Sequence, residues 1–124
     1  MTIRIGAEHS MVSHVVLMKP RPDLSAAERR VFIDAFERAL REIPTVRGVR
    51  IGSRILHGAG YEQSPPTMDF VAVIDFDDLQ GLQAYLRHPA HGELGAQFGQ
   101  ALSAALVYDF EMGGVEELQS GRFF

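Results

Sequence analysis

The chain has 124 residues, 46% of them hydrophobic, enough for one domain with one core and no stapling by metal or disulfide. It contains no cysteine, which leaves no disulfide framework, thiolate nucleophile or cysteine-based metal site and fits a reducing compartment. A net charge of −4 and a pI near 5.7 argue against a nucleic-acid partner, and no apolar run reaches the roughly 18 residues a membrane span needs.

Residues 1–10 lack the apolar stretch of a signal peptide and read as a short extension ahead of a domain over 11–112. A soluble, cytoplasmic protein is the expectation. From Val12 to Met18 nearly every residue is apolar, with Val12, His14, Val16 and Met18 on one face and Val15 and Leu17 on the other. Such a strand needs cover on both sides. Ser25-Ala26-Ala27-Glu28 is a capping box opening a helix. Val31, Phe32, Ala35, Phe36, Ala39, Leu40 and Ile43 recur along it at helical spacing, and Pro44 stops it. Val46 to Leu56 reads as a strand that is more polar on one side, and His57 to Pro66 as a Gly/Pro loop. Met68 to Phe76 alternates as a strand. Asp75, Asp77 and Asp78 then form an acidic turn suited to a helix N-terminus.

Leu79, Leu82, Tyr85 and Leu86 share one helical face, and Pro89 breaks that helix and starts another carrying Leu94, Phe98, Ala101 and Leu102. Leu106 to Met112 alternates again, and residues 113–124 read as a C-terminal extension. No internal repeat is visible. The order βαββαβ describes an α+β, ferredoxin-like subunit with a four-stranded antiparallel sheet. Its helices cover one sheet face. The two-faced strands therefore call for a second copy of the chain, packed sheet against sheet as a homodimer.

The break at Tyr85-Leu86-Arg87-His88-Pro89-Ala90-His91 gathers a phenol and two imidazoles. His88 falls near the cap of the new helix and His91 in its first turn. There the positive helix end favours a neutral ring, able to take a proton beside a Tyr donor. The plainer alternative is that both histidines cap and pack the junction. A metal held by His88, His91 and His14 lacks a clustered carboxylate. Ser13 and Ser53 have no nucleophile-elbow context, and there is no glycine-rich phosphate loop.

Ser13-His14-Val15-Val16, Ile43-Pro44-Thr45-Val46, Phe70 to Phe76, Tyr85 to His91 and Tyr108-Asp109-Phe110-Glu111 together resemble the stress-responsive dimeric α/β-barrel (Dabb) domain, over about Met11 to Met112. The resemblance implies ferredoxin-like subunits that dimerise through their sheets into an α/β barrel. It extends to the family's plant polyketide cyclases, which work without a redox cofactor through a His base and a Tyr at the carbonyl. The matching positions are His91 and Tyr85, with the family's first-strand His at His14. The chain departs from the cyclases at Phe70, where their pattern has a His. A His–Tyr pair suits proton abstraction beside a carbonyl, with a donor on the developing enolate oxygen.

The expected catalytic residues are thus His91 and Tyr85, with His14, Phe70, His88, Phe98 and Phe110 around a small apolar carbonyl ligand and with no metal or cofactor. The implied function is a cofactor-free cyclase or lyase. The alternative is a non-catalytic, stress-responsive binding or structural dimer. Cofactor-independent monooxygenation is an analogy of fold alone.

Overall fold

The computed structural model describes residues 10–123, so the expected N-terminal extension lies outside the described residues except for Ser10. The chain runs β1 (Val12–Pro20), α1 (Ala26–Glu42), β2 (Gly48–Ser53), β3 (Phe70–Phe76), α2 (Leu79–Arg87), α3 (Pro89–Ala101), β4 (Leu102–Glu111) and a short helical turn, α4 (Glu116–Gln119). The strands form one antiparallel sheet in the order β2-β3-β1-β4, with the first strand central, as in a ferredoxin-like subunit. Among the described residues no helix is long and apolar enough to cross a membrane.

Local chemistry sets the helix ends. Ser25 caps α1 through a complete capping box, its hydroxyl accepting from the Glu28 N–H while the Glu28 carboxylate accepts from the Ser25 N–H. Asp78 caps α2 by accepting from the Gly81 N–H at 2.9 Å. Extended geometry at His88, imposed by Pro89, ends α2 and opens α3 within one residue.

Strand limits differ from those read in the sequence. β2 covers only Gly48–Ser53, and the loop after it contains a 3-10 turn, Gly60–Gln63. β4 begins at Leu102, which periodicity assigns to the preceding helix. Pairing with β1, where Lys19 faces Ala104 and Pro20 faces Leu102, draws those residues into the ladder. Tertiary pairing here overrides local preference.

The register sorts the two sheet faces. Facing the helices are Val12, His14, Val16 and Met18 of β1 with Ala72, Ile74 and Phe76 of β3, all buried against Phe36, Ala39, Ile43, Leu82, Tyr85 and Leu94. The opposite face carries Val15, Leu17, Val71, Val73, Leu106, Tyr108 and Phe110, and no helix among the described residues covers it. Tyr108 and Phe110 are about half exposed there, at 51% and 49%. A contiguous apolar face of this kind marks an interaction surface.

Candidate active site

Helix α2 delivers Tyr85 on its buried side in its last full turn, and the Pro89 break turns the chain so that His91 comes back against it. The two rings meet edge to face, centroids 4.8 Å apart. From beneath, β1 presents His14, whose ring lies 5.7 Å from that of Tyr85. Phe76 closes the fourth side at 5.1 Å. These groups border a cavity of about 210 Å³ lined by His14, Val16, Ile74, Tyr85, His91 and Phe98, among others. Beyond Phe36, which lines both spaces, lies an apolar cavity of about 450 Å³ walled by Met18, Phe32, Leu40, Ile51, Phe70 and Leu102.

Burial sets the protonation states. Tyr85 is 1% exposed, and desolvation of its phenolate pushes the hydroxyl up to about 12, so it remains a proton donor at any physiological pH. No hydrogen bond engages that hydroxyl among the described residues, and no buried side-chain oxygen or nitrogen among them lacks a partner, so the hydroxyl reaches the cavity space. His91 lies below its ordinary value, first through burial and then through its electrostatic interaction with the neighbouring His14, with the Leu86 backbone pulling the other way. The helix end invoked from sequence is not the main cause: desolvation is.

His14 is held by a partner that sequence reasoning missed as a site residue. Asp109 stands directly across from it on β4, and its carboxylate oxygen lies 2.5 Å from His14 Nδ1. This fixes the ring and turns its other nitrogen away from the carboxylate. The alternation of Tyr108-Asp109-Phe110 placed Asp109 on one face but did not say which strand it would meet.

The remaining expected residues separate. Phe98 lines the His–Tyr cavity and packs on Phe32. Phe70 belongs to the apolar cavity beyond Phe36. Phe110 points to the other side of the sheet, as the partner of Ser13, and touches neither space. His88 serves as the cap of α3: its Nδ1 accepts from the Ala90 N–H at 3.0 Å. With His88 so engaged, His14, His88 and His91 do not converge, and no group of three His, Cys, Asp or Glu suited to a metal occurs among the described residues. His88→Ala should lower stability by about 0.5–2 kcal/mol, read from thermal unfolding. It should leave ligand binding unchanged, and lost binding would return His88 to the pocket.

Comparison with known proteins agrees with this architecture. Residues 12–112 match the family model described as Stress responsive A/B Barrel Domain. The olivetolic acid cyclase of Cannabis sativa is 19% identical over 99 residues, covering 80% of this chain and 94% of the cyclase. A hydroxynitrile lyase from Passiflora edulis superposes with a TM-score of 0.73 at 15% identity, over 86% of this chain and 97% of the lyase. A dimeric ferredoxin-like protein of unknown function from Thermobifida fusca superposes with a TM-score of 0.65 at 22% identity, covering 85% and 93%.

Proposed function

The chain belongs to the stress-responsive A/B barrel family, and on that premise we propose that it forms a homodimer through its open sheet face, each subunit binding a small carbonyl compound with an apolar chain and moving a proton beside the carbonyl without a cofactor. The observation that carries this reading is the convergence of Tyr85, His91 and His14 on one cavity, with a larger apolar cavity lying across Phe36, which lines both. A carbonyl placed among the polar groups would leave its chain to Met18, Phe32, Leu40 and Phe70.

In the step proposed, the free nitrogen of neutral His91 takes a proton from the carbon next to the carbonyl. The electron pair moves into the enolate oxygen, and the Tyr85 hydroxyl donates to that oxygen. His14, oriented by Asp109, borders the same space and positions the carbonyl. Delivery of the proton from His91 to a different atom of the enolate gives an isomerisation. Attack of the enolate carbon on a second carbonyl of the same molecule instead forms the new C–C bond and an alkoxide. That alkoxide takes the proton from His91, which completes an aldol-type ring closure and restores the neutral base. Positioned proton transfer contributes about 10²–10⁴-fold, which suits an acidified C–H such as that of a 1,3-dicarbonyl. The cyclase and the lyase among the similar proteins lend support to carbonyl chemistry in this frame.

The test is exchange of the activated C–H of an alkyl-chain 1,3-dicarbonyl in D₂O, followed by NMR. Exchange accelerated over buffer and saturating with substrate is the expected result. Saturable binding without acceleration would leave a carrier rather than an enzyme. Neither binding nor exchange would remove the reading.

A further inference from the structure

The apolar cavity is left open toward the β2 edge of the sheet. Two of its walls, Ile51 on β2 and Phe70 at the start of β3, are 62% and 41% exposed. The β2–β3 loop springs from the same edge. Ser53 faces Phe70, the Arg54 N–H donates to the Asp69 carbonyl at 2.8 Å, and the pairing goes no further. Ile55 follows, on the helix side by the alternation that puts Ile51 and Ser53 there, one diagonal step from Phe70. Such a step spans roughly 7–8 Å, within reach of two large side chains. Ile55 is nonetheless 76% exposed.

The loop beyond Ile55 is knotted on itself. The Glu62 carboxylate is turned inward and accepts from the N–H groups of His57 at 2.5 Å and Gly58 at 3.1 Å, while the Arg54 guanidinium donates to the Glu62 carbonyl. Gly58 stands at a φ of 94°, a left-handed conformation that suits glycine. The Glu62 N–H donates to the Ala59 carbonyl and the Ser64 N–H to the Tyr61 carbonyl, both at 3.1 Å. All these bonds lie within the loop, so it can shift on its strand ends as one piece without breaking them. Closing it over the cavity would take the apolar surface of Ile55, Ile51 and Phe70 out of water together.

We infer that the β2–β3 loop closes on the apolar cavity when an alkyl chain fills it, with Ile55 as the missing outer wall against Ile51 and Phe70. The inference rests on the proposed seating of the ligand's chain in that cavity. It makes Ile55 a specificity-determining residue: a chain long enough to reach the β2 edge gains the contact, and a short one does not. Because the Glu62 knot holds the loop in shape beforehand, closing orders few groups and costs little of the affinity gained.

Calorimetric titration of the full chain and of Ile55→Ser with acetylacetone and with a 1,3-diketone carrying a heptyl chain tests this. The full chain should prefer the heptyl compound, and that preference should fall about tenfold in Ile55→Ser, the loss expected when one large aliphatic contact goes. Thermal unfolding of the variant without diketone should match the parent. Hydrogen exchange across residues 54–63 should slow with the heptyl compound and not with acetylacetone. A preference for the heptyl compound that Ile55→Ser retains in full, with no slowing in the loop, overturns the closing loop and leaves the cavity as the chain's seat. Binding of neither diketone overturns both the closing loop and the ligand reading on which it rests.

Discussion

Val73→Asp should convert the protein from a species of about twice 13.7 kDa into a folded monomer. Val73 sits in the middle of the open sheet face, facing Val15 on β1 and Arg50 on β2. In an isolated subunit an aspartate there meets water and costs little. Between two sheets it would be an unpaired carboxylate in an apolar layer, a cost of several kcal/mol per subunit that is incurred twice in a two-fold dimer. That is enough to shift dissociation by several orders of magnitude, at about 1.4 kcal/mol per tenfold. Val16→Asp is the control. Val16 is the next residue along β1 from Val15 but points the other way, into the core beside the His–Tyr cavity, so its aspartate should unfold the subunit itself. Sedimentation together with far-UV circular dichroism separates the two outcomes. A Val73→Asp dimer as tight as the parent would mean that this face is not where subunits meet.

The contrast between Val15 and Val16 also shows how much of the fold the sequence discloses. A strand apolar on both faces, a capping box at Ser25 and a proline between two helical stretches are local patterns, and each survives in the structure as read. The meeting of Tyr85 with His91 was legible for the same reason, because both flank one chain break. What was not legible depends on register between distant strands. Asp109 reaches His14 across 95 positions of sequence, and only the β1–β4 pairing decides that it, rather than Phe110, faces the helices. Phe70 stands in the same alternation as Ile74, but it lies four residues further along β3, about 13 Å away, which puts it in the apolar cavity. The C-terminal turn carries no periodicity at all. It is built from the charges of Arg122, Glu117 and Glu111, which composition alone would place in solvent.

His91→Ala should abolish carbonyl-dependent proton exchange while leaving a folded dimer. The ring is only half-buried at the first turn of α3, so its loss removes little packing, whereas the reaction loses the one group proposed to accept the proton. Tyr85→Phe should weaken the rate by about 10²–10³-fold if its hydroxyl is a fully engaged donor to the enolate oxygen, and should keep the fold because the ring still fills its place beside Phe76. The pH dependence gives an independent reading. His91 in the folded chain takes its proton at a lower pH than the roughly 6.5 of a free imidazole, because burial and His14 disfavour the charged ring. A base held neutral in this way stays active below pH 6.5, and the rate should fall only as pH drops through the depressed value. Stability follows the same sign. The unfolded chain binds that proton first, so acid favours unfolding below about pH 6.5, and nothing is gained by raising the pH above it. In His91→Ala this part of the acid sensitivity should disappear together with the activity. NMR titration of the ring in the intact protein checks the premise directly. A His91 that titrates above its ordinary value would mean that a charged imidazolium is favoured, and a charged ring has no lone pair with which to take the proton.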